Sequence, residues 1–359
     1  MDRKRVIISL VIAVVLCACM ANLWRPRSSI KVSAVETTTS LGIYWDSACS
    51  SAVEYIDWGV LTPGQNSKVT FYVRNEGNRA CVLLASIVGW QGDNTSNCLS
   101  FNCETPRIAP SQAVQVTPSL LVFSNASEAS FSFGILLMGV IVTFADFGAF
   151  FVNNQNVRMI YPSDSASKPL NCSAAMVSDW TASAFVSTKL VNVSEGLDTN
   201  SSFVNQTSGR PMGDAGAGIV SFGGPVVNPV IKYAESNTTS QSDRAPIKFR
   251  DGGSNLYFQF ANGSSIAGAT LPLSVINFGQ DMFVIEIYMD GSGRYVLLCY
   301  GFGWKGTYAA GKYFDTVIYP NLASHTESWI IVKWQDANGD GFVNSPFDGD
   351  TYTIIAQGS

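Results

Sequence analysis

The stretch YVLLCYGFGWKGTYAAGKYF, Tyr295–Phe314, places an apolar strand, a glycine-rich turn and a helical segment in succession. Its Gly301, Gly303 and Gly306 have the spacing of a dinucleotide-binding fingerprint. Such a site also needs an acid about 20 residues further on to hold the ribose. Here the acid that ends the next strong strand is Asp336, about 30 residues beyond Gly306. We therefore expect a structural strand-to-helix turn and no bound nucleotide.

The same scheme recurs on the N-terminal side of this stretch. GIVSFGGPVVNPVIKYAE, Gly218–Glu235, reads as a buried strand, a Gly-Gly-Pro turn and a helix. SDWTASAFVSTKL predicts a further helix with Ser178 or Asp179 as its N-cap, and Asp290-Gly291 predicts a hairpin between two strands. Helices that alternate with strands indicate an α/β or α+β domain over residues 156–359.

Before this domain the apolar residues follow a period of two. In SKVTFYVRNEGN, Val69, Phe71 and Val73 alternate with polar positions, which indicates a strand with one buried face. NEGN supplies a turn, and ACVLLASIV reads as the returning strand. We expect an Ig-like antiparallel β-sandwich over residues 30–154. The apolar run Phe131–Phe151 is interpreted as its closing strand, with a membrane span as the alternative.

Length and composition predict a β-rich multidomain protein. The chain has 359 residues, of which 47% are hydrophobic and 14% are charged, with a formal net charge of -5. That hydrophobic content is sufficient for two packed cores. No basic stripe is present, so nucleic acid is excluded as an expected partner.

The N-terminal residues 1–27 have the pattern of an export signal. Arg3, Lys4 and Arg5 precede the apolar run VIISLVIAVVLCACMANLW. Cleavage after Ala21, retention as a membrane anchor and lipid attachment at Cys19 all remain open. In each case we expect an exported protein at the cell envelope or cell surface, which contacts the membrane if the segment is uncleaved.

Glycosylation sequons and cysteines agree with export. Outside the leader six cysteines remain, and Cys98 with Cys103 and Cys49 with Cys81 are the expected disulfide pairs, although spacing alone does not fix connectivity. Cys299 lies within an apolar strand and is expected to be a buried thiol. Candidate glycosylation sites are Asn94, Asn125, Asn171, Asn192, Asn200, Asn205, Asn237 and Asn262.

The segment DANGDGFVNSPFDGD, residues 336–350, resembles a calcium-binding loop. Oxygen-bearing residues recur at alternate positions, as in loops that bind Ca²⁺. Position 12 of the loop is Phe347 where a bidentate Glu is usual, and Asp348 or Asp350 is expected to close the coordination. A solvated acidic hairpin is the alternative. The candidate ligands for a structural Ca²⁺ are Asp336, Asn338, Asp340, Phe342, Asn344 and Asp348.

Catalytic motifs are not evident. His325 is the single histidine of the chain, so histidine-based triads and multi-histidine zinc sites are not expected. We therefore expect a protein without catalytic activity.

Three segments of the C-terminal domain carry a family resemblance. Gly218–Glu235, the strand pair and helix VIEIYMDGSGRYVLLCYGFGWKGTYAAGKYF and the earlier helix SDWTASAFVSTKL resemble the outer domain of archaeal S-layer proteins. IDWGVLTPG with VTFYVRNEGN resembles Ig-like modules of archaeal exported proteins. The resemblance implies an envelope protein that packs against copies of itself, other envelope proteins or glycans. The chain departs from the family pattern because it joins this domain to a sandwich rather than to a second S-layer segment.

These observations predict a glycosylated envelope protein, S-layer or S-layer-associated, with a structural or adhesive function. The alternative is a secreted module that binds or hydrolyses polysaccharide or peptide. Such a module would present aromatic side chains such as Trp58, Trp90 and Trp180 to a ligand, although most of them are expected in the core.

Overall fold

The chain forms two compact units, Met1–Val140 and Ile141–Ser359, in a computed structural model. It is β-rich and contains several antiparallel sheets, as the sequence predicted. Each unit has a hydrophobic core of its own. The residues that the structure describes are 29–33, 35–37, 41–77, 81–91, 99–103, 107–108, 111–124, 132–164, 172–276 and 278–359.

Short strands in four sheets make up the described part of the N-terminal unit, and all four sheets contribute side chains to one core. The strands are β1 (Ser29–Ser33), β2 (Val35–Thr37), β3 (Leu41–Tyr44), β4 (Tyr55–Val60), β5 (Asn66–Lys68), β6 (Phe71–Asn75), β7 (Cys81–Gln91), β8 (Leu99–Asn102), β9 (Arg107–Ile108), β10 (Ala113–Val116), β11 (Ser119–Val122) and β12 (Ser132–Val140). The sheet orders are β1-β4, β10-β6-β3, β5-β11-β8 and β2-β12-β7-β9.

The period-two pattern of β6 is confirmed, but its predicted partner is wrong. Phe71 and Val73 are fully buried, and Val69 is partly buried against the same core. The predicted hairpin between β6 and β7 does not form. Both edges of β6 are already paired, one with β3 and the other with β10, so β7 pairs with β12 and β9 in another sheet.

The apolar run Phe131–Phe151 is only in part a strand. Its described first section is β12, and after Val140 the chain turns into two short helical segments, Phe144–Asp146 and Gly148–Val152. The ring of Phe147 packs on Phe314 and Tyr319, within the C-terminal unit. The boundary therefore lies at Val140 and not near residue 154 as predicted. Among the described residues no helix is both long and apolar enough to cross a membrane.

A seven-stranded mixed sheet is the centre of the C-terminal unit. Its order is β14-β13-β15-β20-β19-β21-β22, in which the first four strands run parallel and the last three pair antiparallel. The predicted hairpin at Asp290-Gly291 joins β19 to β20. The strands are β13 (Val157–Tyr161), β14 (Val193–Leu197), β15 (Gly218–Phe222), β19 (Gln280–Met289), β20 (Tyr295–Gly301), β21 (Trp329–Gln335) and β22 (Thr351–Gly358).

Helices and a small sheet cover this sheet. Val284 and Leu298 share a core with α2 and the small sheet, whereas the neighbouring Phe283 contacts Tyr313 of α3. Alternate residues of the strands thus face two different layers. The covering elements are α1 (Cys172–Ser187), α2 (Pro229–Glu235), α3 (Trp304–Tyr313) and the antiparallel strands β16 (Ile247–Asp251), β17 (Asn255–Phe260) and β18 (Ser265–Pro272).

The predicted helix start at Ser178 or Asp179 is wrong, because α1 begins at Cys172 and both residues lie buried inside it. Their short polar side chains resembled an N-cap only locally. The predicted order of strand, Gly-Gly-Pro turn and helix is confirmed, and α2 begins at Pro229, four residues after the proline of the turn. Asn228 caps it by accepting from Val230 N at 2.9 Å, and its Nδ2 donates to Phe222 O at 2.7 Å. Asn228 thereby fixes the Gly-Gly-Pro turn to the end of β15.

Candidate functional site

The fingerprint glycines bring β20 and α3 into direct contact. A Cβ on Gly301 would lie 2.4 Å from the Cα of Gly306, and a Cβ on Gly306 would lie 2.6 Å from Oδ1 of Asp281. Only glycine permits this approach. The prediction of a close structural turn is confirmed.

The N-terminus of α3 is occupied by the carboxylate of Asp281. Its Oδ2 accepts from Gly306 N at 2.9 Å, and its Oδ1 accepts from Met282 N at 2.8 Å and from Gly303 N at 3.3 Å. Helix N-terminal amides of this kind can bind an anionic group. Asp281 is fully buried, and this burial raises the pKa of its carboxyl to about 7 while the backbone N–H bonds oppose the rise. Sequence reasoning missed Asp281, and the feature that could have indicated it is an acidic residue inside an apolar strand.

The acidic loop, residues 336–350, is ordered by its own amides. Asp336 accepts from Gly339 N at 2.8 Å and from Gly341 N at 2.9 Å. Asp340 accepts from Phe342 N at 2.8 Å, and this bond is the main cause that lowers the pKa of its exposed carboxyl. The loop therefore holds charged carboxylates in fixed turns.

Among the other candidate ligands, two asparagines hydrogen-bond to Asp340, whereas Asp348 bonds to a serine. Asn338 and Asn344 donate their side-chain amides to Oδ2 of Asp340, at 3.1 and 2.7 Å. Asp348 instead accepts from the hydroxyl of Ser345 at 2.5 Å. Asp350, the last residue of the loop, contacts its middle, because the buried Asp350 carboxylate accepts from Asn344 N at 2.6 Å.

A lysine already supplies positive charge beside the acidic loop. Lys305 Nζ donates to Gly341 O at 2.8 Å and to Phe278 O at 3.2 Å, and it lies 5.6 Å from the ring centre of Trp304. Within the described ranges, no group of three His, Cys, Asp or Glu side chains is placed to hold a metal ion.

Three exposed aromatic residues belong to the segments that this lysine contacts. Phe278 is 76% exposed, Phe342 72% and Trp304 39%. The two carbonyl contacts of Lys305 bring Phe278 and the Gly341–Phe342 segment to the start of α3, where Trp304 lies. We refer to Phe278, Trp304 and Phe342 as the aromatic patch. Clustered exposed apolar rings are typical of contact surfaces.

Five candidate glycosylation sites lie in the described structure and all five asparagines are exposed: Asn192, Asn200, Asn205, Asn237 and Asn262. In two of them the sequon hydroxyl bonds to the asparagine, Ser202 Oγ to Asn200 at 2.8 Å and Ser264 Oγ to Asn262 at 2.6 Å. The remaining sites lie outside the described residues: Asn94, Asn125 and Asn171.

The cysteine predictions have mixed outcomes. Cys49 carries a free thiol in a turn at φ 56°, whereas Cys81 is buried in β7, so the predicted Cys49–Cys81 disulfide is not formed. The Cys98–Cys103 disulfide stays a prediction, because Cys98 lies outside the described residues. The leader, residues 1–27, also lies outside them. Cys299 is fully buried as predicted, and this burial raises the pKa of its thiol.

An open pocket of about 400 Å³ was not foreseen from the sequence. It lies between the Gly-Gly-Pro turn, the end of α2 and strand β16. The pocket wall includes Glu235, whose carboxylate accepts from the Tyr300 hydroxyl and from Phe249 N at 3.1 Å. Burial raises the pKa of Glu235 to about 8, against the opposing effects of Tyr300, the Phe249 amide, Arg250 and Lys248. The lining residues are Pro225, Lys232, Glu235, Ser236, Asn237, Phe249, Arg250 and Asp251.

The tryptophans considered as ligand platforms differ in their exposure to solvent. Trp58 is buried in the N-terminal core. Trp180 is exposed, and its Nε1–H donates to Pro162 O at 2.9 Å. The side chain of Trp90 lies outside the described part. His325 contacts Glu327 at 2.5 Å and packs edge-on against Phe144.

No family model matches this chain, and no curated protein matches it. Among solved structures, it is similar to PapD-like domain 7 of human CEP192, at 10% identity and a TM-score of 0.14 over 36% of this chain and 96% of that one. It is also similar to a family 123 glycoside hydrolase from Clostridium perfringens, at 10% identity and a TM-score of 0.15 over 55% of this chain and 38% of that one. These likenesses carry no functional argument.

Proposed function

We propose that the chain is an exported, glycosylated cell-envelope protein of S-layer or S-layer-associated type, which acts by contact and not by catalysis. Its N-terminal unit would be an Ig-like β-sandwich that serves as a spacer, and its C-terminal unit an S-layer outer-domain-like module. The leader would deliver it to the cell surface, either cleaved or retained as an anchor. Its partners would be copies of itself, other envelope proteins and their glycans.

The observation that carries this proposal is the aromatic patch. Exposed aromatic rings favour association because a large apolar area leaves water when a partner covers it. The exposed sequon asparagines support the envelope location. We infer that the patch is a surface through which neighbouring molecules pack.

The test is assembly of the purified chain, followed by electron microscopy and sedimentation. The double variant Phe278→Ser/Phe342→Ser should lose ordered sheets or filaments while its melting temperature stays unchanged, since both side chains are exposed. Val177→Ser/Val191→Ser is the matched control, because it removes two exposed apolar side chains elsewhere. A monodisperse parent chain, or equal loss in both variants, would contradict the proposal.

We propose further that the acidic loop binds a structural Ca²⁺ that rigidifies it during assembly. Asp336, Asn338, Asp340 and Asn344 are oxygen-bearing residues of the kind that Ca²⁺ prefers. The fixed turns at Asp336 and Asp340 support this assignment, and Asp350 replaces Asp348 as the closing acid.

A second candidate function is a secreted module that binds or hydrolyses saccharides or peptides. The observation in its favour is Glu235, a buried carboxyl with a raised pKa in the wall of an open pocket. Hydrolysis of envelope polymers by the parent chain, abolished by Glu235→Gln, would support this second function over the first.

A further inference from the structure

We propose that the pocket beside Glu235 holds the first sugars of a glycan attached to Asn237 of the same chain. The inference rests on the proposed glycosylation and assigns one site and one conformation to it. Asn237 is the one described sequon asparagine that also lines this pocket. The glycan would therefore begin at the pocket wall.

The attachment point is held in place by two basic side chains. Lys248 Nζ donates to Asn237 Oδ1 at 2.8 Å, and the Arg244 guanidinium donates to Asn237 O. Lys248 is almost fully buried, so its side chain is a fixed support. Asn237 Nδ2, the atom that a glycan would be joined to, has no hydrogen-bond partner among the described residues.

The pocket has the chemistry that a sugar ring requires. Phe249 is partly exposed and, with Pro225, provides an apolar surface for the C–H face of a pyranose. Lys232, Arg250 and Asp251 add donors and acceptors around it, which suits hydroxyl groups because each hydroxyl both donates and accepts. A volume of about 400 Å³ is within the range of small-ligand sites.

Covalent attachment explains why an open pocket would be occupied. A free sugar binds a shallow site weakly, since it loses translational and rotational freedom. A tethered sugar is present at an effective concentration in the millimolar range or above, so the same contacts suffice. The glycan would then cover the buried Glu235 and tie α2 to β16, two elements that both contribute to the pocket wall.

The experiment uses the full chain from a secretory host that glycosylates Asn-x-Ser/Thr sequons. Glycopeptide mass spectrometry gives the occupancy of each site, and native digestion with an endoglycosidase gives the release rate. We expect release at Asn237 to be about tenfold slower than at Asn262, equivalent to roughly 1.4 kcal/mol of protection. Asp251→Asn, which keeps the sequon and an exposed polar side chain, should accelerate release at Asn237 only.

A thermal measurement gives an independent readout. Enzymatic deglycosylation should lower the melting temperature of the parent and of Asn262→Gln by several degrees, and should leave that of Asn237→Gln unchanged. Equal release rates at Asn237 and Asn262 would overturn the inference. An empty Asn237 beside an occupied Asn262 would also overturn it and leave the proposed envelope function standing. Empty sequons throughout would remove both this inference and the glycoprotein part of the proposed function.

Discussion

Burial sets the chemistry of individual carboxyl groups in the C-terminal unit. Asp281 caps α3 from within the sheet, and Glu235 lies between Tyr300 and the backbone of β16. Both have a pKa raised from the ordinary value by removal from water, to about 7 and about 8 respectively. The two groups therefore link the stability of this unit to pH.

The first prediction concerns that linkage. Each group has a higher pKa in the folded than in the unfolded chain, so the folded state binds more protons between the two values. For Glu235 these values are 4.5 and about 8. The free energy of unfolding should thus fall as pH rises from about 4 to about 8. Urea unfolding over this range should show a flatter profile for Glu235→Gln than for the parent.

Glu54→Gln is the control for this measurement, because Glu54 is an exposed carboxyl in the N-terminal unit. Its profile should follow that of the parent. A slope in Glu235→Gln equal to the parental one would show that Glu235 does not carry the raised pKa.

The second prediction concerns the fingerprint glycines. Gly301→Ala places a Cβ 2.4 Å from backbone of α3, where no flexible side chain can move away. We expect a loss of about 2–4 kcal/mol in the free energy of unfolding, as for overpacked cores and other severe substitutions. Gly279→Ala is the matched control, since a Cβ there meets nothing within 4 Å. Equal stability of the two variants in chemical denaturation would refute the structural account of the turn.

At the scale of elements, the acidic loop and α3 are joined through one side chain. Lys305 on α3 donates to Gly341 O, so an ammonium group neutralises part of the loop's negative charge. The same contact holds the Gly341–Phe342 segment at the start of α3, where Trp304 lies. Loop, helix and aromatic patch therefore form one connected surface within the C-terminal unit.

The third prediction is that Lys305 competes with calcium. Lys305→Met removes the ammonium while keeping an apolar stem, so the loop should bind Ca²⁺ more tightly, by about tenfold for a change of roughly 1.4 kcal/mol. Isothermal titration calorimetry and the calcium-dependent rise in melting temperature would measure this. Lys312→Met is the control, because Lys312 lies over Tyr308 in the same helix.

Asp340→Asn should abolish the calcium-dependent rise in melting temperature both in the parent and in Lys305→Met, since Asp340 lies at the centre of the loop's hydrogen bonds. If neither the parent nor Lys305→Met responds to millimolar Ca²⁺, the loop is a solvated hairpin and the calcium proposal fails.

At the scale of the whole molecule, the chain consists of two units with separate cores that divide after Val140. Phe144, Phe147 and Phe151 are fully buried, and their ring contacts lie within the C-terminal unit. The helical segments that carry them therefore belong to the folding unit that follows.

The fourth prediction compares two starting points for the C-terminal unit. A chain that begins at Ile141 should unfold cooperatively, whereas one that begins at Asn156 lacks the three buried phenylalanines. Removing one buried phenylalanine side chain typically costs about 3–5 kcal/mol, so the shorter chain should be strongly destabilised or fail to fold. Calorimetry of both chains measures this. Equal melting temperatures would place the boundary where the sequence suggested.

The sequence by itself determined those elements whose signals are local. The alternation in β6, the strand-turn-helix segments at Gly218 and Tyr295 and the Asp290-Gly291 hairpin all follow from periodicity, glycine conformation and capping within a few residues. The carboxylates of Asp336 and Asp340 accept from the amides of Gly339 and Phe342 and close turns within the acidic loop for the same reason.

Only the tertiary structure decided what depends on contacts between distant residues. It paired β7 with β12 instead of β6, assigned Phe147 to the C-terminal core and placed Asp281 at the start of α3. It also assembled the aromatic patch from segments far apart in the chain, and it packed the end of α2 against β16 to form the pocket beside Asn237. The physical reason is that strand partners and buried polar groups are selected by the whole packed core, which no local pattern records.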